Sequence, residues 1–458
     1  MSQEAASWSL DTAISALAER KVNAAEYLTD LIAHEKEVGN FGAYITSTSE
    51  QALSTVSSGG HNSGKLSGIP LAVKDNIDIA GVPTTAGTPG MASLVPEHHA
   101  EVWSRLSAAG AAVLAGKASM HELAYGITGI NTAFPTAHNP AVKGYLAGGS
   151  SSGTAAAVSA GLVPAGLGTD TGGSVRLPAA HCGIVGFRPT TGRYSSEGVV
   201  RISSSRDTVG LMARDVKDIM ILDEIMNCHS SEETKENLSP ALLTFGLPEG
   251  AWQNIERDVA GVLYRAIEKL KAAGCIFTKT GEEIHGGDTE YMLNVATLIP
   301  LAETPRMVGE YLQKQGADIP FSHIVKQIAS PDVKEILYPI VENPVSQKEY
   351  QDALQMQDRL RSTAWQTFKN LALSAIVVPT SIVAAPPLDI TRSDSAETFL
   401  KYIRNTAPAA VLGYPSITIP AGLTPAGCPV GIQFDGLPGH DRALLNLALR
   451  CSLILGSA

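Results

Sequence analysis

Hydrophobic positions near the start of the chain recur at helical spacing. Leu10, Ile14, Leu17 and Ala18 fall on one face, as do Tyr27, Leu28, Leu31 and Ile32. The polar stretch HNSGKLSG then marks a loop. IPLAVK, residues 69 to 74, is a short apolar run that ends in lysine, and it is predicted to be a buried strand. A helix-then-strand unit follows: AEVWSRLSAAG, closed by Gly110, then AAVLAG. A further Ala-rich helix, TAAAVSAG, leads into the apolar run LVPAGLG. Strands alternating with helices predict α/β layering around a buried sheet.

From about residue 225 to 375 charges and helical spacing dominate, as in IERDVAGVLYRAIEKLKAAG and QKEYQDALQMQDRLRSTAWQTF. This region is expected to be mostly helical cover contributing to a substrate site, with the strand SAIVVPTSIV near its end. The tail returns to strand-like runs, SITIPAG and VGIQFDG, and closes with the helix RALLNLALRCSLIL. With no long linker and no internal repeat, one α/β domain over residues 1–458 is expected. Its parts are N-terminal helices (1–64), a core (65–225), the helical cover (225–375), and C-terminal strands and helix (376–458) that rejoin the sheet.

Composition narrows the function. The 458 residues are 44% hydrophobic, enough for a large core, and 17% charged. A net charge of −11 argues against a nucleic-acid partner, which calls for basic faces. Cys182, Cys228, Cys275, Cys428 and Cys451 are scattered and form no C-x-x-C pair. A zinc site or disulfide framework is therefore not expected, and a reducing compartment is. The start, MSQEAASWSLDTAI, has neither the basic flank nor the apolar run of a signal peptide, and no stretch reaches roughly 18 apolar residues. The expectation is a cytoplasmic monomer or homodimer that acts on a small molecule without metal, cofactor or membrane.

Between Gly144 and Val175 the only charged residue is Asp170, and Gly, Ser, Thr and Ala fill most of the rest. Such a segment is either a tight backbone crossing or a place where backbone meets a ligand. GGSSSGTA lacks the lysine of a phosphate loop, and GLGTDT lacks the third glycine of a dinucleotide fingerprint. Asp170-Thr171-Gly172 has no second D-T-G to complete an aspartic dyad, and His121-Glu122 lacks the second histidine of a zinc helix. Gly149-Ser150-Ser151-Ser152-Gly153 fits a nucleophile elbow with Ser151 at its centre. Downstream His181, His229, His285, His323 and His440 leave that reading open, but the preceding VKGYLAG is a poor strand.

Three separated pieces fit better: Lys74 at the end of an apolar strand, Ser150 in the glycine-serine loop, and Ser174 after Thr171-Gly172-Gly173. Amide hydrolysis requires an activated nucleophile, oxyanion donors and an acid for the leaving nitrogen. A buried lysine held neutral can act as base, and a serine between it and the nucleophile can relay the proton. Bare glycines let main-chain amides from Thr171 to Ser174 turn toward the developing charge.

These segments resemble the amidase signature family. GGSSSGTAAAVSAGLVPAGLGTDTGGSVRLPAA is similar to its signature nearly from end to end, and GIPLAVKDNIDIAGVPTT to its lysine segment. CGIVGFRPTTGRYS is similar to the continuation, while YPSITIPAG with PVGIQFDG matches more loosely. The resemblance implies a single domain built on a mixed twisted sheet with helices on both faces. It implies Ser174 as nucleophile, Ser150 as bridging serine after a cis Gly149–Ser150 bond, and Lys74 as base. It also implies an oxyanion hole at Thr171, Gly172, Gly173 and Ser174. Ser152 stands where many members have glycine.

Around this set Ser151 and Ser152 are read as support, and Asp170 with Arg176 as a structural bracket beside the nucleophile. Lys117, after AVLAG, is read as structural, and Cys182 as a small buried hydrophobe. MHELAYGITGIN and SSSRDTVG are similar to segments of indoleacetamide and mandelamide hydrolases, which implies a small aryl-bearing amide. Tyr125, Gly126, Ile127 and Thr128 are then candidates for the substrate wall. Carbamate or allophanate cleavage by the same triad, and an amidotransferase subunit, are the alternatives. Arg306 is the residue that would invite an acidic substrate if it reached the pocket.

Overall fold

The computed structural model describes residues 2–59, 64–109, 112–227, 243–287, 289–389 and 396–456. Gly110, Cys228, His229 and part of the HNSGKLSG loop lie outside the described residues. Among the described residues eleven strands are β1 (Tyr44–Ser47), β2 (Pro70–Lys74), β3 (Val113–Ala118), β4 (Ala165–Asp170), β5 (Val185–Arg188), β6 (Thr208–Ala213), β7 (Thr244–Pro248), β8 (Ile276–Thr280), β9 (Ala375–Pro379), β10 (Ser416–Leu423) and β11 (Pro429–Asp435). They form one mixed sheet in the order β1-β3-β2-β4-β6-β5-β10-β11-β9-β7-β8.

The apolar runs become strands because both faces of the sheet are covered. Successive side chains point to opposite faces. Leu71, Val73, Leu167 and Leu211 join one core, with Leu222, Leu263 and Leu445 from the helices Val216–Met226, Arg257–Ala272 and Asp441–Leu455. Ala72 and Met212 face the other way, against Ala155, Ala156 and Ala179 of the helices Ser152–Ser159 and Arg176–His181. Each fully buried leucine on the first face contributes about 1.5–3 kcal/mol. The second face works by small size. A Cβ on Gly166 would stand 2.6 Å from Ala72 O and 2.7 Å from Thr154 Cγ2, so glycine lets the helix settle onto the strand.

The region 225–375 differs from expectation. The helices Thr289–Lys314, Pro331–Glu342 and Gln347–Asn370 are there, but so are β7 and β8. β8 is an edge strand with Ile276, Thr278 and Lys279 exposed, so its residues carry no buried-run signature. SAIVVPTSIV contributes only Ala375–Pro379 as strand. The tail joins the same sheet, with β10 pairing antiparallel to both β5 and β11. β2 and β4 are parallel neighbours, which brings their carboxyl ends, Lys74 and Thr169-Asp170, side by side. Open α/β sheets place ligands beyond such ends. Among the described residues no helix is long and apolar enough to cross a membrane.

Candidate active site

Lys74 is the last residue of β2 and is fully buried. Its Nζ lies 2.7 Å from Ser150 Oγ and donates to Thr169 Oγ1 at 2.8 Å. Burial pushes its pKa down to about 7, although Asp170 and Asp207 pull the other way. Lys117, on the neighbouring β3, shows why partner chemistry matters. Its Nζ sits 3.2 Å from Asp75 Oδ1 and donates to Pro83 O and Thr84 Oγ1, both at 2.9 Å. Lys117 is thus held in a buried ion pair, whereas the bonded neighbours of Lys74 are two hydroxyls and a carbonyl.

Ser150 follows a cis Gly149–Ser150 bond and is fully buried. The next residue, Ser151, ties the two serine loops together, because its amide donates to Ser174 O at 3.1 Å. Ser151 Oγ is itself occupied: it donates to Thr169 O at 3.2 Å and accepts from Thr169 N at 3.3 Å. No strand leads into Ser151, and its side chain is fully buried, so the elbow arrangement is not formed. Ser152 lies in the helix Ser152–Ser159 and donates to Ser119 O at 3.3 Å.

Ser174 is 7% exposed, in the turn between β4 and the helix Arg176–His181. The turn is built around Asp170, whose carboxylate accepts from Gly173 N at 2.9 Å and from Val175 N at 3.2 Å. Arg176 grips the same carboxylate through Nε at 3.0 Å and Nη2 at 2.9 Å, and Arg188 Nη1 adds a contact at 3.2 Å. Burial opposes the charge on Asp170, but the two guanidinium groups hold its carboxyl well below the ordinary range. Asp170 and Arg176 thus form a buried ion pair, with Arg188 as a third member.

The expectation of four inward amides needs correction. The Gly173 amide is committed to Asp170, which leaves Thr171, Gly172 and Ser174 with main-chain donors that meet no acceptor among the described residues. Gly173 has φ +133°, and a Cβ there would come 2.7 Å from Thr406 Cβ, so glycine is required for this turn. Thr406 Oγ1 donates to Gly172 O at 2.6 Å, and Arg206 Nη2 donates to Thr171 O at 2.7 Å.

Of the candidate wall, Tyr125 Oη lies 2.5 Å from Thr304 Oγ1 in the helix Thr289–Lys314. Ile127 and Thr128 are buried, and Gly126 packs under the His121 ring. A Cβ on Gly149 would be 2.7 Å from Gly129 N and 3.3 Å from Ile127 C, which places this turn against the Ser150 loop. Arg306 is about half exposed and paired with Glu310 at 2.9 Å. Cys182 is buried and its Sγ donates to Ala147 O at 3.4 Å.

Thr169, Asn76, Arg206, Asp207 and Thr406 were not singled out from the sequence. Thr169 Oγ1 accepts from both Lys74 and Asn76 Nδ2, the latter at 3.1 Å. Asp207 accepts from Thr171 Oγ1 at 2.6 Å. The readable signal was a polar residue at the end of each apolar run, which Thr169 and Asn76 share with Lys74. Arg206 and Asp207 lie in SSSRDTVG, whose resemblance points to the segment and not to these two residues, and Thr406 arrives from a distant segment with no signal. Among the described residues no cluster of three or more His, Cys, Asp or Glu could hold a metal ion.

Comparison with known proteins fixes the class first: this is an amide-cleaving hydrolase. The family pattern described as Amidase matches residues 25–445, and the chain belongs to the amidase signature family. It is 36% identical over 452 residues to an indoleacetamide hydrolase of Pseudomonas savastanoi, covering 98% of this chain and 96% of that one. It is 39% identical over 417 residues to a mandelamide hydrolase of Pseudomonas putida, covering 85% and 79%. A solved amidase structure superposes with TM-score 0.82 at 30% identity, covering 96% of this chain and 98% of the other.

Proposed function

We propose that the protein hydrolyses the C–N bond of a small neutral, aryl-bearing amide through Ser174, Ser150 and Lys74. The observation that carries the reading is the buried Lys74 amine, 2.7 Å from Ser150 Oγ and depressed to about 7. At neutral pH much of this amine is unprotonated and holds a lone pair. Ser174 Oγ attacks the amide carbon as its proton passes to Ser150 Oγ and the Ser150 proton passes to Lys74 Nζ. The carbonyl electron pair moves onto oxygen, where the free amides of Thr171, Gly172 and Ser174 are the available donors. The intermediate collapses, and the leaving nitrogen takes a proton back through Ser150. Water then repeats the sequence on the acyl-enzyme and releases the acid.

Two features support the substrate class. The named amide hydrolases to which the chain is similar act on aryl-bearing amides, and the turn at 125–128 offers apolar and aromatic surface beside the Ser150 loop. The helix Thr289–Lys314 reaches that turn through Thr304, as a substrate-facing cover would. A cytoplasmic setting belongs to the same reading, supported by Cys182, Cys275, Cys428 and Cys451, which are buried free thiols. The test is mass spectrometry after treatment with a fluorophosphonate, alongside turnover of phenylacetamide and of a phenyl carbamate. Adduct on Ser174 and faster amide than carbamate turnover are expected. Adduct on another serine overturns the nucleophile.

A further inference from the structure

The pair of buried His121 and part-buried Asp332 has no part in the chemistry above. His121 is 1% exposed, and its Nε2 lies 2.8 Å from Asp332 Oδ2, in the first turn of the helix Pro331–Glu342. Its own amide donates to Ser150 O at 3.1 Å. Its ring fills the space a side chain on Gly126 would need, and its Nδ1 lies 3.4 Å from Thr128 Oγ1. The next residue, Glu122, is fully buried and accepts from the amides of Ser330 at 2.8 Å and Ala329 at 3.2 Å. Two consecutive side chains therefore hold the same stretch of the helical cover.

We infer that His121 and Asp332 form a clasp through which the helical cover sets the position of the 126–129 turn, making His121 a specificity-determining positioning residue. The inference rests on the reading that this turn walls the acyl site. The connection is physical and short. The imidazole is wedged between Asp332 and Gly126, the turn abuts Gly149, and Gly149 precedes Ser150. Loss of the ring removes the wedge and the bond to the cover together. The bond from the His121 amide to Ser150 O belongs to the main chain and survives substitution. The wall should then loosen for large acyl groups while the triad keeps its geometry.

The experiment compares His121→Ala, His121→Gln and Asp332→Asn with the unaltered protein on phenylacetamide and propionamide. It also measures the rate of Ser174 labelling by a small fluorophosphonate. His121→Ala should raise KM for phenylacetamide about tenfold, with kcat, propionamide turnover and labelling each within about threefold. His121→Gln keeps a donor for Asp332 and should restore KM to within about threefold, while Asp332→Asn should shift KM in the same direction as His121→Ala. Equal losses on both amides and in labelling would assign His121 to the triad's support and overturn the inference. So would an unchanged ratio of the two amides, or a glutamine variant no better than alanine. If His121→Ala does not fold, the Asp332→Asn ratio decides. Absence of labelling on Ser174 in the unaltered protein would instead defeat the nucleophile reading, with the amide ratio still deciding the clasp.

Discussion

Asp75 pairs with Lys117 across a strand boundary, at 3.2 Å, and leaves Lys74, its neighbour in the chain, without a carboxylate partner of its own. Both lysines are fully buried. The difference between them is charge compensation. A buried ion pair must stay intact, because removal of one partner leaves an uncompensated charge, whereas an amine without a close carboxylate is pushed toward neutrality.

The same substitution should therefore have opposite effects at the two sites. Lys117→Met strands Asp75 and should destabilise the fold by about 3–5 kcal/mol. Lys74→Met should abolish turnover yet raise stability by about 1–3 kcal/mol, since it removes an amine that is costly to bury. The sign has a pH signature. The folded pKa of Lys74 is about 7 against an ordinary 10.5, so the native lysine costs stability fully below pH 7, and the cost fades toward 10.5. The gain from Lys74→Met should shrink over that window. Denaturant unfolding of both variants from pH 6 to 10 reads this, and a destabilised Lys74→Met would contradict it.

Rate should follow the same group. With Lys74 as base, kcat/KM should climb with pH and level off above an apparent pKa near 7, because the neutral amine is the active form. Undiminished kcat/KM well below pH 6, with chemistry shown to limit the rate, would remove Lys74 from the role.

Ser174→Ala and Ser151→Ala separate the two serine readings. Ser174→Ala should lose turnover and covalent labelling with an unchanged unfolding midpoint. Ser151→Ala should keep labelling and lose about 1–2 kcal/mol of stability, because both of its side-chain hydrogen bonds go to the buried backbone of Thr169. The reverse pattern would restore the elbow.

Asp170→Asn tests the bracket. It removes the charge that compensates Arg176 and Arg188 and weakens the hold on the Gly173 amide. A loss of about 3–5 kcal/mol is expected. Since the folded pKa of Asp170 is depressed below the ordinary 3.8, its contribution is complete above that value and disappears only as the pH falls further. The stability gap between Asp170→Asn and the unaltered protein should thus be flat from pH 5 to 8. A gap that closes in that range would mean the bracket is not charged.

Local chemistry was legible in the sequence where it lay in one segment. IPLAVK reads as a buried strand ending in lysine and is one, and the Gly-Ser-Thr stretch reads as either a tight crossing or a ligand-facing turn. Gly166 is a tight crossing, with Ala72 O 2.6 Å from where a Cβ would stand, and Gly173 makes a turn at φ +133°. What could not be read was convergence across the chain. Thr406 reaches Gly172 from a sequence distance of 234, and Asp332 reaches His121 from 211. The strand β8 was hidden for a different reason: at the sheet edge its side chains are mostly exposed and carry no period.

The last prediction concerns substrate charge. Among the described residues the guanidinium groups near the Ser174 turn are largely engaged. Arg176 and Arg188 hold Asp170, Arg206 donates to Thr171 O, and Arg306 pairs with Glu310 on the surface. Desolvating an acidic substrate costs several kcal/mol unless a partner is supplied, and of these groups only Arg188 Nε and Arg206 Nε are buried without an acceptor. Neutral substrates avoid that penalty, and on the proposed reading the Tyr125–Thr128 turn would favour an aryl group. The kcat/KM for phenylacetamide should accordingly exceed those for allophanate and glutamine by about tenfold or more. Arg206→Gln serves as a control, because an acidic substrate recruited by Arg206 would lose its residual turnover in that variant. If a charged substrate is preferred about tenfold, the neutral-pocket reading fails, and the Ser174–Ser150–Lys74 chemistry is left to its own tests.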